Sequence, residues 1–350
     1  PVQTSRQAGL SVVYQELLDF GGDEIYFRAE PALAGKRFGE ILALYEDSTI
    51  LGLARADGTI QLNPPMDVEV GAGDRVIAVS QDDDTIRLSR SGPAPVDESA
   101  IVIGEPRSPQ AEHTLILGWN PMAPLLLREL ENYVAAGSEV RVVGSYPGGI
   151  EAARAACPPT EKLRIRLFEG DPTDRATLDR LEIPLFDHVV LISENPDDDE
   201  RTDARTLVTL LHLRDIREQS GSRFSIVSEM QDVRNRALAE VTRADDFIIG
   251  DQLVSLLLAQ ISENKALHAV FSDLCDPEGS EIYLKPAKDY VQLGREIGYA
   301  TVVEAARRRG EIAIGYRQPP AAGSGGHGVV TNPAKSKRVR FGERDSVIVL

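Results

Sequence analysis

Cysteines, long apolar runs and an excess of positive charge are all missing from these 350 residues, and each absence excludes something. Cys157 and Cys275 are the only cysteines, so there is no disulfide framework and no CxxC metal site; a reducing compartment fits. The five histidines (His113, His188, His212, His268 and His327) are scattered and form no HxxxH or HExxH pair. The longest apolar stretches, such as Leu256-Leu257-Leu258-Ala259, fall far short of the roughly 18–20 residues that cross a bilayer. Basic residues number 38 against 55 acidic ones, a formal net charge of −17, which argues against a nucleic-acid surface. The basic clusters Arg307-Arg308-Arg309 and Lys335-Ser336-Lys337-Arg338 read as solvated turns or strand edges. No GxSxG and no spaced Ser/His/Asp or Cys/His set nominates a catalytic centre. No basic segment followed by an apolar one opens the chain, and the start at Pro1 reads as a fragment or a processed terminus.

What is present is a soluble globular composition, 42% hydrophobic and 27% charged, long enough for two or three domains. Residues 23–90 read as a small β-rich unit. Its strands are Glu24-Ile25-Tyr26-Phe27, a weakly alternating stretch from Phe38 to Leu44, the segment Thr49 to Ala54, Thr59 to Asn63-Pro64, and Arg75 to Val79. The C-terminus repeats the plan: Glu281–Leu284, Glu311–Tyr316, Val329 to Asn332-Pro333, and Gly342 to Leu350. The glycine-rich spacer from Pro319 to Gly328 is a flexible loop by composition, with no Lys-Ser/Thr after it to make a phosphate loop.

Between the copies, short apolar strands alternate with helical patterns. The strands are Thr114–Leu117, Val140–Val143, Leu163–Phe168, His188–Ile192 and Phe224–Val227. Helices follow at Ala123–Val134 (Leu125, Leu126, Leu130 and Val134 spaced for burial) and from about Asp174, Arg201 and Val233. That alternation predicts a Rossmann-like, doubly wound parallel sheet of five or six strands, an α/β lobe flanked by two small α+β lobes.

A dinucleotide fold places pyrophosphate on a glycine turn at a helix N-terminus. Here the turn after the first strand is Gly118-Trp119-Asn120-Pro121-Met122-Ala123, with Asn120 in place of the second glycine. No acid follows Val143 to hold a ribose; Gly144-Ser145 stands there instead. Binding of NAD is therefore not expected, and Gly118, Asn120, Ser145 and Asp171 are the candidate residues of a degenerate nucleotide pocket. Asp171 serves equally as a cap for the following helix. Two acidic runs, Asp82-Asp83-Asp84 and Asp197-Asp198-Asp199-Glu200 with Asp203, are candidate Ca²⁺ ligands. Capping and solvation are the favoured reading of both; of the two runs, Asp197, Asp198, Asp199 and Glu200 make the better metal candidate, at the carboxyl edge of the sheet.

Strand-Gly118, Glu169-Gly170-Asp171-Pro172-Thr173 and Asp187-His188-Val189-Val190-Leu191 resemble the N-lobe of regulator-of-conductance-of-K⁺ (RCK) domains, and the flanking lobes look like RCK C-lobes. The chain is similar, more specifically, to the soluble region of CASTOR/POLLUX ion channels. The residues carrying this are Arg6-Gln7-Ala8-Gly9-Leu10, Asp82-Asp83-Asp84-Thr85, Ile226-Val227-Ser228-Glu229-Met230, Asp246-Phe247-Ile248-Ile249 with Leu253-Val254-Ser255, and Glu311 to Arg317 with Asn332-Pro333. The resemblance implies the end of a crossing helix at 1–22, a first C-lobe at 23–90, a linker at 91–112, an N-lobe at 113–245, connecting helices at 246–277 and a second C-lobe at 278–350. It also implies a pore and a first N-lobe upstream, a homotetrameric gating ring on the cytoplasmic face of a membrane, and no catalysis. A soluble TrkA-like regulator of K⁺ uptake and an NAD-dependent oxidoreductase are the rival readings, distinguished by whether pore helices precede residue 1.

Overall fold

The computed structural model describes residues 9–19, 21–104, 110–194, 199–222, 224–235, 238, 242, 246–276, 279–318 and 328–350. The chain divides into two units, Pro1–Ser11 with Arg107–Ser255, and Val12–Pro106 with Leu256–Leu350. Helix α1 (Leu10–Leu18) precedes strands β1 (Glu24–Ala29), β2 (Thr49–Ala54), β3 (Ile60–Leu62) and β4 (Arg75–Ser80), with the short helix α2 (Phe38–Ile41) after β1. Then come β5 (His113–Leu117), α3 (Ala123–Tyr133), β6 (Ser138–Gly144), α4 (Ile150–Ala156), β7 (Leu163–Glu169) and α5 (Arg175–Arg180). Strand β8 (His188–Leu191), the long α6 (Asp199–Ser220), β9 (Ser225–Met230) and β10 (Asp246–Ile249) complete that lobe. Helices α7 (Gly250–Glu263) and α8 (Leu267–Cys275) lead to β11 (Tyr283–Pro286), β12 (Glu296–Gly298), α9 (Tyr299–Arg307), β13 (Ala313–Arg317), β14 (Val329–Thr331), β15 (Arg338–Arg340) and β16 (Ser346–Val349).

The first unit holds a six-stranded sheet in the order β10-β9-β8-β5-β6-β7, parallel throughout. Both faces are covered, as a parallel sheet requires: Leu115 and Leu117 of β5 pack into one apolar layer with Leu210, Leu213 and Ile226, while Ile116 packs into the other with Leu127 and Leu130. The chain order reverses between β5 and β8, which opens a crevice at their carboxyl ends. At the sheet edge Asp246 is fully buried and accepts from Gly9 N (3.1 Å), Ser11 N (3.0 Å), Phe247 N (2.9 Å) and the Ser11 hydroxyl. Burial pushes this carboxyl above its usual range, against the hydrogen bonds from Ser11, Phe247 and Gly9.

The second unit holds both small lobes, and they are copies in detail. Their antiparallel sheets share one topology, β1-β4-β2-β3 and β11-β16-β13-β14. Each carries a bulge at the same place, Ile50/Gly52 and Ala313/Gly315. A Cβ on Gly52 would lie 2.1 Å from Gln61 O and one on Gly315 2.2 Å from Val330 O, so only glycine lets the strands meet. Asn63 (φ 38°) and Asn332 (φ 41°) both sit in the left-handed region, which asparagine tolerates.

Several expectations change. Phe38 to Leu44 is not a strand but opens with helix α2, because Arg37 N and the Glu40 carboxylate form a capping pair (3.0 Å). Leu125 points outward at 45% exposure, whereas Leu127, Leu126 and Leu130 face the core. Where a helix is expected from Val233, a 3₁₀ turn at Val233–Asn235 and helical backbone at Leu238 are described, and the rest of the stretch 236–245, apart from Thr242, lies outside the described residues. Within the 91–112 linker, Ile101 pairs with Val291, and Asp97 meets Arg295 at 2.6 Å. The spacer 319–327 lies outside the described residues.

Lys335 is the largest departure. Instead of a solvated turn it is 2% exposed, its ammonium donating to Ser48 O (3.2 Å) and Thr49 Oγ1 (3.1 Å). Equivalent backbone bonds (Gly39 N to Met66 O, Ala300 N to Lys335 O) align it with Met66 of the first lobe. Burial pushes its amine down to about 8 from 10.5, although Glu46, Asp47 and Asp23 oppose the shift, and the difference amounts to roughly 3 kcal/mol. A lysine whose folded value lies below its unfolded one stabilises the fold at high pH and loses that contribution as pH falls through the folded value. Lys335→Met should therefore be at least as stable as the parent at pH 7. Unfolding free energies from urea titrations between pH 7 and about 10.5 should rise for the parent relative to the variant by an amount of that order.

Candidate functional site

The crevice between the carboxyl ends of β5 and β8 is a cavity of about 430 Å3. It is lined by Gly118, Ser145, Asp171, Glu194, Arg205 and four threonines, Thr173, Thr202, Thr206 and Thr209. Three of these threonines come from one face of α6 at helical spacing, and Arg205 projects between them. Three of the four candidate pocket residues thus meet in one place.

Gly118 owes its identity to packing. Its φ is 106°, and a Cβ there would lie 2.2 Å from Ile192 O, which crosses directly over the turn. Its amide is taken by Val143 O at 2.8 Å. Asn120, the fourth candidate, does not line the cavity. It is 7% exposed, donating Nδ2 to Ser193 O (2.8 Å) and accepting from Met122 N through Oδ1 (2.9 Å). Its role is to pin the turn rather than to crowd a ligand.

Counting amides at the N-terminus of α3 explains what this turn can hold. Pro121 and Pro124 have no N–H. Met122 N is bound by Asn120 Oδ1, and Ala123 N donates to Asn120 O at 3.0 Å. The helix end that cradles pyrophosphate in dinucleotide folds has therefore spent most of its donors internally.

The other side of the cavity is an ion network. Arg205 Nη2 lies 2.8 Å from Asp171 Oδ1 and 3.3 Å from Glu194 Oε2. Glu194 Oε1 also accepts from Ser145 N at 3.0 Å. Asp171 additionally accepts from Thr173 N (2.9 Å) and Thr173 Oγ1 (2.7 Å). Burial pushes the Asp171 carboxyl up, but the Thr173 hydrogen bonds and the Arg205 charge outweigh it and hold it below the usual range. The cap of α5 is a different residue, Asp174, which accepts from Ala176 N and Thr177 N at 3.2 Å each. Glu194, Arg205 and the threonines of α6 were not singled out from the sequence; the signal for the threonines and Arg205 was their shared helical face, and Glu194 carried none.

Asp197 and Asp198 lie outside the described residues, and Asp199 and Glu200 open α6 with side chains that are likewise outside the described set. Asp203 is 1% exposed and committed to the loop after β9, accepting from Gln231 N (2.9 Å), Asp232 N (3.1 Å) and Asn235 Nδ2 (2.7 Å). Asp82 caps a 3₁₀ turn at Asp83–Thr85, and Asp84 pairs with Arg87 at 3.5 Å. Among the described residues no group of three or more His, Cys, Asp or Glu is arranged to hold a metal ion. Among the same residues no helix is long and apolar enough to cross a membrane.

A family described as Castor and Pollux, part of voltage-gated ion channel, matches residues 1–96. The probable ion channel CASTOR of Oryza sativa subsp. japonica is 27% identical over 398 residues, covering 100% of this chain and 43% of that protein. The probable ion channel POLLUX of Arabidopsis thaliana is 26% identical, covering 100% of this chain and 46% of that protein. The chain therefore spans less than half the length of these relatives. In fold it matches the human SLO3 gating ring with a TM-score of 0.66 at 14% identity, covering 96% of this chain and 68% of that one.

The spent amides yield a prediction. Isothermal titration of the chain with NAD or NADH should show no binding tighter than roughly millimolar, about −4 kcal/mol; a micromolar dissociation constant would overturn it.

Proposed function

We propose that this chain, similar over its whole length to CASTOR and POLLUX ion channels, is the cytosolic regulatory part of a tetrameric cation channel and has no catalytic activity. The observation that carries this reading is that two copies of one small lobe flank a single Rossmann-like lobe in the sequence. Two RCK units contain two C-lobes, so the first N-lobe and the pore belong to the part of the relatives that this chain does not span. The fold match to a gating ring supports the same arrangement. Ligand or ion binding in the lobes changes their relative angles, and those movements are transmitted to the pore.

The spent helix amides of the crevice support a ligand other than a dinucleotide, and they weigh against the oxidoreductase reading. Calcium at Asp197, Asp198, Asp199 and Glu200 is a separate trigger to test: a melting temperature that ignores millimolar Ca²⁺ rejects it.

Two measurements test the assignment. Light scattering of the chain at tens of micromolar should give a dimer or larger species, and a strict monomer would remove self-assembly of this part. In the full-length protein, Asn332→Ala should shift open probability while leaving unitary conductance unchanged, because the pore lies elsewhere. A changed conductance, or unaltered gating in a folded variant, would count against the module as the gating element.

A further inference from the structure

We infer that Glu194 is an internal anion that holds the crevice shut against a single phosphate or carboxylate group, which binds between the Ser145 amide and Arg205 when the Glu194 side chain leaves. Such regulation of the crevice does not depend on the channel assignment.

The donor set is that of an oxyanion site. A backbone amide and a guanidinium converge on one carboxylate: Ser145 N reaches Oε1 at 3.0 Å, and Arg205 Nη2 lies 3.3 Å from Oε2. Amide plus guanidinium is a general recognition set for oxyanions, and charge-assisted bonds of this kind are the strong ones. In this structure the oxyanion comes from the chain itself. The strand end is crowded at this point: a Cβ on Gly144 would lie 3.0 Å from Gly118 C, 3.1 Å from Trp119 N and 3.1 Å from Glu194 Oε1.

The surroundings define the ligand class. Arg205 is shared with Asp171 at 2.8 Å, so the guanidinium keeps one carboxylate partner when Glu194 moves away. Ser145 and Thr206 line the same cavity, and their hydroxyls can bind oxygen-rich groups. A second phosphate has no cradle, since Met122 N and Ala123 N are already bound and Pro121 and Pro124 donate nothing. The site therefore fits one anionic group, either free phosphate or the phosphate of a nucleoside monophosphate, and not pyrophosphate. Glu194 itself is 19% exposed, near enough to solvent to swing out without opening the core.

The sole tryptophan, Trp119, follows Gly118 and packs edge-on against Tyr146 at 5.3 Å, which makes it a reporter beside the crevice. Inorganic phosphate and AMP are titrated separately into the parent chain, Glu194→Ala, Glu194→Gln and the double variant Glu194→Ala/Arg205→Ala, with calorimetry alongside fluorescence. The parent should show no saturable change up to about 10 mM, and both single variants should bind at least about tenfold more tightly. The double variant should lose that gain. Tighter binding of AMP than of phosphate identifies a nucleoside monophosphate as the ligand, and equal binding identifies free phosphate. Glu194→Gln keeps the shape of the side chain and decides the matter if the alanine variant fails to fold. The inference is overturned if the folded single variants bind no better than the parent, or if the double variant binds as well as they do. A merely structural Glu194 predicts the first of those results, with a lower melting temperature and no ligand.

Discussion

The second unit depends on a reciprocal exchange between two asparagines. Asn63 donates Nδ2 to Gly310 O (3.1 Å), and Asn332 donates Nδ2 to Asp47 O (3.0 Å). Each residue adopts a left-handed backbone that turns its side chain out of its own lobe and into the other. Fixing the turn and satisfying a partner carbonyl are one act, which is why both copies keep the same residue type at this position. The two small lobes are therefore joined as a duplicated pair within one unit rather than as two independent domains.

The pair is not symmetric, and the asymmetry is chemical. Asn332 Oδ1 accepts from Thr49 Oγ1 at 2.9 Å, but the position equivalent to Thr49 is Ile312, and Asn63 Oδ1 has no hydrogen-bond partner among the described residues. On the Thr49 side the pocket holds the Lys335 ammonium; on the other side the matching residue is Met66. One side of the exchange has become a polar cluster with Asp23, Glu46 and Asp47 nearby, and the other has stayed apolar. A buried lysine costs desolvation and is tolerated only where acceptors surround it. The polar side is thus the side on which protonation can alter the fit of the lobes.

The parallel sheet, its helices and the internal repeat were legible because they rest on local periodicity and on matching segments such as Asn63-Pro64 and Asn332-Pro333. What was not legible depends on partners far away in sequence. Lys335 looked like part of a basic run, and only the fold brings Ser48 and Thr49 to its ammonium. Asn120 was correctly noticed as a departure from the glycine pattern, but its partner Ser193 lies 73 positions on, and that contact turns an obstruction into a pin. Glu194 follows an ordinary strand and meets Ser145 only through the crossover. Phe38 to Leu44 failed for the opposite reason: weak alternation in a short segment cannot compete with a good capping pair.

The crevice has a physical route to the start of the chain within its own unit. Arg205 and Asp203 sit on the same turns of α6, the first in the ion network and the second anchoring Gln231 N, Asp232 N and Asn235. Those residues continue directly from β9, which pairs in parallel with β10 from Val227 to Met230. The first residue of that β10 ladder is Asp246, whose buried carboxylate gathers the amides of Gly9 and Ser11 at the beginning of α1. A shift of the α6 turn that carries Arg205 must therefore be absorbed by the loop after β9 or passed along the β9–β10 ladder. Packed, hydrogen-bonded elements of this kind move as bodies between discrete arrangements rather than deforming smoothly. The crevice is thus linked, through named hydrogen bonds, to Gly9 and Ser11 at the beginning of α1.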